Sequence, residues 1–142
     1  MLYNELTAKE HLWFFYFMKR PRAIKLKGKW RTEAEVLIES LDMDSFKDRL
    51  VSQLSPCQKR KLNVALAFVG GSRIVFLDEP TIDMDQSAKE CLYELVRQQK
   101  DCRTIMVSTQ NMEDAEAMGQ QLYVMYMGRT ICSGDVNFIK SS

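Results

Sequence analysis

Arg73-Ile74-Val75-Phe76-Leu77-Asp78-Glu79-Pro80-Thr81-Ile82-Asp83-Met84-Asp85 is the stretch around which the rest of the chain can be placed. Four apolar residues, Ile74 to Leu77, run straight into two adjacent carboxylates and a proline. A short β-branched and aromatic run of this kind is the pattern of a strand buried on both faces. In open α/β sheets chemistry sits at the carboxyl ends of strands, which makes Asp78 and Glu79 a candidate site. Taken alone, the same two acids are equally the end of a strand and the start of a solvated loop.

The flanks decide between these readings. Upstream lies Leu54-Ser55-Pro56-Cys57-Gln58, followed by Lys59-Arg60-Lys61, and downstream lies Ser108-Thr109-Gln110-Asn111-Met112. From Ser55 the helix-start signals are unusually complete, with Ser55 at the N-cap, Pro56 at N1 and Gln58 at N3. Leu62, Ala65, Leu66 and Val69 then form a stripe at i, i+3, i+4 and i+7, which Gly70-Gly71 stops. After the central strand, Asp85 can cap a helix whose stripe is Ala88, Cys91, Leu92, Leu95 and Val96. Thr104 to Ser108 is a second strand, β-branched at Thr104, Ile105 and Val107. Strand, helix, strand is βαβ order and predicts parallel strands joined by a right-handed crossover.

The N-terminal part reads as helices. Thr7-Ala8-Lys9-Glu10 is a capping box that starts a helix running to about Lys19 and ended by Pro21. Its body, Leu12 to Phe17, is apolar on every face, which predicts burial, with docking on another chain as the alternative. Thr32 to Glu35 repeats the capping box and predicts the start of a second helix, with Val36, Leu37 and Leu41 near helical spacing and a break at Asp42-Met43-Asp44-Ser45. Between these helices seven basic residues, Lys19, Arg20, Arg22, Lys25, Lys27, Lys29 and Arg31, stand without an acid. A solvated loop is the ordinary explanation, and a site for lipid headgroups or RNA phosphate the other, with Trp30 alone offering an aromatic for stacking. Toward the C-terminus, Glu113 to Met118 reads as a short helix. Leu122 to Met127 and Thr130 to Cys132, parted at Gly128-Arg129, read as a β-hairpin, and Asp135 to Lys140 as a helical turn.

Composition bounds the function classes. The chain has 142 residues, 46% hydrophobic and 27% charged, the size of one globular domain able to bury a core. A net charge of +1 gives no global argument for nucleic acid or anionic lipid. Cys57, Cys91, Cys102 and Cys132 are widely spaced, and the one histidine, His11, does not complete a zinc site, so the cysteines are expected as reduced, mostly buried thiols in a cytosolic setting. His11 itself is read as packing or surface. The longest apolar run, Leu12 to Met18, is far short of the ~20 residues of a spanning helix.

With these pieces in order, the sequence resembles the second half of the nucleotide-binding domain of an ATP-binding cassette (ABC) transporter. Leu54-Ser55-Pro56-Cys57-Gln58 matches the signature motif, Ile74 to Glu79 the Walker B strand, Asp85 the D-loop, and Ser108-Thr109-Gln110 the switch segment. The stretches L-T-A-K-E-H-L-W-F-F, Q-K-R-K-L-N-V-A-L-A-F-V-G-G-S and M-G-R-T-I-C-S-G are more specifically similar to the A subfamily, whose transporters mostly move lipids. The resemblance implies an α/β fold: a partial P-loop NTPase (RecA-like) ABC ATPase domain, with a helical subdomain over about 5–70 carrying the signature motif. The Walker B strand, D-loop, switch and C-terminal hairpin would fill about 73–142, and the N-terminal Walker A portion is lacking. It implies that Asp78 holds the Mg²⁺ of Mg-ATP through water, as a hard cation that keeps several waters prefers. Glu79 would polarise the attacking water, and Asp85 would reach a partner domain across a head-to-tail dimer. Ser55 and Gln58 at the helix start, with Asp85, would be nucleotide-binding positions.

Three departures qualify that picture. No G-x-x-x-x-G-K-[ST] occurs, since Gly28-Lys29 is followed by Trp30 and preceded by Ala23 where the leading glycine belongs, so nothing cradles β- and γ-phosphates. Pro56 and Cys57 replace both signature glycines; Pro56 has no N–H to give, and Cys57 adds a side chain where backbone should approach closely. Gln110 stands at the switch histidine and cannot carry charge to a phosphate. The expectation is a truncated or degenerate ATP-binding domain that, alone, holds Mg-ATP weakly or not at all and lacks ATPase activity. Expected partners are a second ABC nucleotide-binding domain and the transmembrane domains of a transporter, without nucleic acid and without a membrane span of its own. This places the chain at the cytoplasmic face of a membrane, or in the cytosol if alone. The alternatives are a non-catalytic regulatory module that pairs with a complete ABC domain, and a soluble RNA-associated ABC protein. An incomplete parallel sheet is also expected to expose an edge and an apolar face.

Overall fold

The computed structural model describes residues 2–20 and 29–141. In chain order the elements are α1 (Ala8–Lys19), α2 (Lys29–Ser40), a 3₁₀ turn (Val51–Gln53), α3 (Pro56–Phe68), β1 (Ile74–Asp78), α4 (Gln86–Gln99), β2 (Thr104–Ser108), α5 (Met112–Met118), β3 (Leu122–Tyr126), β4 (Arg129–Gly134) and α6 (Val136–Ser141). β1 and β2 pair in parallel, from Ile74↔Thr104 to Asp78↔Ser108. β3 and β4 form an antiparallel hairpin with an irregularity between Val124 and Met125. Within the described residues the two pairs are separate two-stranded sheets.

Local chemistry sets the helix starts. Thr7 accepts from the Glu10 N–H at 3.2 Å while Glu10 accepts from the Thr7 N–H at 2.7 Å, closing the capping box that opens α1. The same reciprocal pair forms between Ser55 and Gln58 at α3, with Pro56 at the first helical position. α2 departs from the expectation drawn from Thr32 to Glu35. It begins at Lys29, so Thr32 and Glu35 lie inside the helix. Trp30, within this earlier turn, packs against the core. Val36, placed by sequence on the inner face, is exposed, and Ala34, Leu37, Ile38 and Leu41 face inward instead.

One core runs from α1 to α5, with Leu12, Leu41, Met43, Leu62, Val69 and Leu92 fully enclosed. α1 packs on α2 and α3, α3 packs on β1, and α4 packs on α2, α3 and α5. The apolar circumference of α1 is not wholly buried, contrary to expectation. Ala8, Leu12 and Tyr16 face inward, while Trp13, Phe17 and Met18 remain exposed because α2 and α3 cover one side only. His11 is fully buried, accepting from the Tyr3 N–H at 2.9 Å through Nε2 with Nδ1 2.9 Å from the Thr7 carbonyl. The cysteines are free thiols, but none is fully buried, and Cys102, in the turn after α4, is exposed.

The end of α3 joins the helical layer to the sheet. Lys19 donates to the Leu66 and Ala67 carbonyls at 2.7 and 2.9 Å, and Arg103, just before β2, donates to the Phe68 carbonyl at 3.0 Å. Burial, then the nearby Arg103 charge, holds the Lys19 pKa below its ordinary value. Glu33 accepts from the Gly70 N–H at 2.6 Å and pairs with Arg20. Two cations of the basic run are thereby committed to internal partners; Arg22, Lys25 and Lys27 lie outside the described residues. Gly70 has φ +87°, and a Cβ there would meet the Lys19 Cβ at 2.9 Å. Gly70→Ala is therefore expected to cost about 1–2 kcal/mol from backbone strain, with the Lys19 clash adding to it. Urea unfolding of the two chains checks this, and equal midpoints would remove Gly70 from the junction.

Candidate functional site

β1 does not have two buried faces. Val75 and Leu77 point into the core, while Ile74 and Phe76 are 57% and 69% exposed. No described element covers the second face, which β2 continues with Met106 beside Phe76. Strand alternation puts Asp78 on this open face, next to Ser108 in the register. The Ser108 hydroxyl donates to Asp78 Oδ1.

One residue on, the chain turns. The Glu79 N–H continues the ladder by donating to the Ser108 carbonyl at 3.0 Å, and the Ile82 N–H returns to the Glu79 carbonyl at 3.3 Å. Glu79 adopts φ +43°. A left-handed conformation at a non-glycine residue costs on the order of 1–2 kcal/mol, and such strain concentrates where a side chain must be aimed. Pro80 and Thr81 behind it are buried. Glu79 and Gln110 line one open cleft of about 600 Å³, together with Thr81, Lys89, Asn111 and Asp114.

Beneath this cleft is a charged centre that sequence reasoning missed. Asp114, 1% exposed, accepts from Thr81 Oγ1 at 2.5 Å and from the Tyr93 hydroxyl, with Lys89 Nζ at 3.5 Å. Burial alone would push the Asp114 carboxyl up; the hydrogen bonds from Thr81 and Tyr93 and the Lys89 charge outweigh it and hold the pKa below the usual carboxylate range. Burial, then the same carboxylate, drives the Tyr93 phenol up. Asp114 thus ties the segment after Glu79, helix α4 and the segment after Gln110 to one point. In sequence it is one acid in the first turn of a short helix, and its partners come from two other segments, so no local pattern marks it.

The remaining expected residues lie elsewhere. Asp85 caps α4, accepting from the Ala88 N–H at 2.8 Å. Ser55 and Gln58 occupy each other in the α3 capping box, and neither they nor Asp85 line the cleft of Glu79 and Gln110. For a divalent cation, the donor set at the sheet edge is one carboxylate, Asp78, beside one hydroxyl, Ser108. Hard oxygen donors of this kind and number suit Mg²⁺, which keeps most of its water shell.

The arrangement of strands and helical layer has solved counterparts. An ATP-binding cassette in a dimeric post-hydrolysis state, bound to ADP and Pi, superposes with a TM-score of 0.82 at 22% identity, over 95% of this chain and 59% of that one. An ATP-binding subunit of an ABC transporter gives a TM-score of 0.82 at 22% identity, over 99% of this chain and 57% of that one. The fold is therefore that of part of an ABC ATPase domain.

The ABC transporter family description matches residues 1–82, and the chain belongs to that family. Its curated relatives include ATP-binding cassette sub-family A member 2 of Rattus norvegicus, 37% identical across all 142 residues. The retinal-specific phospholipid-transporting ATPase ABCA4 of Homo sapiens is 33% identical over 99% of the chain, and the ABC transporter ced-7 of Caenorhabditis elegans 34% identical over 98%. The chain spans only 6–8% of the length of these relatives.

The Asp114 centre gives a pH prediction. A carboxyl whose folded pKa lies below its ordinary value of 3.8 contributes stability that is present above that value and lost as pH falls through the folded pKa. Asp114→Asn should lower stability at neutral pH by about 1–3 kcal/mol, since the Thr81 and Tyr93 donors lose their ionised acceptor. It should also flatten the decline in urea midpoint between neutral and strongly acidic pH. An unchanged acid limb would mean that the network does not fix the charge.

Proposed function

We propose that these residues form the carboxylate-bearing and signature-bearing part of an ABC ATP-binding domain. A helical portion over about 5–70 would lead into a sheet portion over about 73–142. The observation that carries the reading is the placement of Asp78 and Glu79 at the carboxyl end of a parallel strand, with Glu79 and Gln110 lining one cleft. Asp78 with Ser108 would hold Mg²⁺, which supplies neutralisation of phosphate charge when bound. Glu79, aimed by its left-handed backbone, would orient and polarise water; Gln110 would offer one neutral hydrogen bond to a phosphate oxygen. Phosphoryl transfer depends chiefly on such positioning and electrostatics. Ser55 and Gln58 at the α3 N-terminus, and Asp85 at the start of α4, would address nucleotide held by a second ABC domain. Pro56 and Cys57 weaken that contact by removing an N–H and crowding the helix start.

The larger role is coupling of ATP to membrane transport at the cytoplasmic face, through transmembrane domains that choose the substrate. That one relative, ABCA4, is a phospholipid-transporting ATPase supports a lipid substrate. Among the described residues no helix is long and apolar enough to cross a membrane.

Because the 142 residues contain no phosphate-cradling loop, the chain by itself should neither bind Mg-ATP tightly nor hydrolyse it. Titration calorimetry with Mg-ATP should give no heat of binding in the micromolar range, and phosphate release should be the same for the native chain and Glu79→Gln. Micromolar affinity, or turnover abolished by that substitution, overturns this. A second reading, a non-catalytic module that pairs with a complete ABC domain, is favoured by the bare aromatic side of α1 at Trp13 and Phe17. Co-purification with an intact A-subfamily domain, lost in Trp13→Ser/Phe17→Ser, would support it; failure to co-purify rejects it.

A further inference from the structure

Four non-glycine residues among those described have left-handed backbones, and two of them, Glu79 at φ +43° and Asp83 at φ +64°, stand on either side of Thr81. Such residues are strained and keep that conformation only where surrounding contacts over-determine it. The local contacts are thin, since the Ile82 N–H reaches the Glu79 carbonyl at 3.3 Å and the Met84 N–H the Thr81 carbonyl at 3.1 Å. On the strand side Glu79 is held by its rung to the Ser108 carbonyl. The hold on the other side comes from the Thr81 side chain.

Thr81 is buried and donates to Asp114 Oδ2 at 2.5 Å, a hydrogen bond to a carboxylate and so stronger than a neutral one. The other oxygen, Oδ1, takes the Tyr93 hydroxyl and the Lys89 ammonium, both from α4. The two oxygens thus face different segments. The carboxylate itself is carried by α5, whose first turn is closed by Asn111, its Oδ1 accepting from the Glu113 N–H at 2.8 Å. Asn111 follows Gln110 directly. A chain of single contacts therefore runs from the Gln110 segment through Asn111, α5 and Asp114 Oδ2 to Thr81, and so to the turn that carries Glu79.

We propose that Asp114 is a positioning residue for Glu79, and that it makes the aim of Glu79 depend on where the Gln110 segment lies. Oδ2 does the aiming through Thr81, while Oδ1, held by Tyr93 and Lys89, keeps the carboxylate in place against α4. A shift of the Gln110 segment moves α5 and reaches Glu79 by this route, so that phosphate contact and water activation are engaged together. This meaning rests on the roles proposed above for Glu79 and Gln110. The measurement, however, is made on the ligand-free chain. It can fail while those roles stand, and the Mg-ATP titration can go against those roles without touching it.

The test is NMR of the isotope-labelled chain. At positive φ a residue's amide and α protons lie close, so Glu79 should give a strong intraresidue cross-peak between them. The Thr81 hydroxyl proton should be visible, with a cross-peak to Asp114. Thr81→Val, which keeps the shape and removes the donor, should weaken the Glu79 cross-peak and speed amide exchange at Ile82 roughly tenfold, with amides inside the β1–β2 ladder unchanged. Thr81→Ser, which restores the hydroxyl, should restore both. Tyr93→Phe, which removes a donor of similar kind from the other oxygen, should leave Glu79 as it is; a change equal to that of Thr81→Val means general loosening and overturns the proposal. Asn111→Ala should disturb Glu79 in the native chain and add nothing once Thr81→Val is present, and absent or additive effects overturn the link. The proposal is also overturned if the Thr81 hydroxyl is not seen in the native chain, folded or not, or if Thr81→Val leaves Glu79 unchanged. A Thr81→Val chain that unfolds outright overturns it too, because the hydroxyl then holds the whole fold and not the aim of one turn.

Discussion

The parallel ladder between β1 and β2 is the constraint on which the site depends. Its last rung, from the Glu79 N–H to the Ser108 carbonyl, lies one residue beyond the strand, where the chain turns and Glu79 takes positive φ. Asp78, still inside the strand, points to the open face beside Ser108. Adjacent residues in a strand point to opposite faces, so two neighbouring acids could not share one task without such a turn. Val75 and Leu77, buried against the helices, keep the register from slipping, because a slip of one residue would exchange the core face for the open one.

Around this ladder, the structure stiffens the places where chain segments meet. Asp114 collects Thr81, Tyr93 and Lys89, and so fixes the segments behind Glu79 and Gln110 relative to α4. At the other end of the sheet, Lys19 and Arg103 satisfy carbonyls at the end of α3, which a helix terminus leaves without intrahelical donors. These ties are internal to the chain. The surfaces expected to meet nucleotide and partners are, in contrast, exposed: Ser55, Asp85 and Gln110 on the polar side, Trp13 and Phe76 on the apolar side.

The departures from the ABC pattern spare the folding roles of the same positions. Ser55, Pro56 and Gln58 make a complete helix start although the signature glycines are absent, because capping needs a side-chain acceptor and tolerates proline at the first helical position. Asp85 likewise serves as a helix cap. The fold superposes on part of an ATP-binding cassette with a TM-score of 0.82 at 22% identity.

Periodicity and cap chemistry made most elements legible from sequence: α3 from Ser55-Pro56-x-Gln58 and its apolar stripe, both parallel strands, the hairpin around Gly128, and the carboxylate pair at the strand end. These signals are local, carried by residues within a few positions of each other. Sequence alone also named the family, through the order of its motifs. Whether a face is covered, however, depends on segments far apart in the chain. The run Ile74 to Leu77 predicted two buried faces and has one; α1 is apolar all round and is buried on one side; α2 already includes Lys29 and Trp30, and Trp30 packs against the core. The Asp114 centre exists only once the chain has folded. Burial, charge pairing and strand partnership are properties of distant residues brought together, and tertiary structure alone decided them.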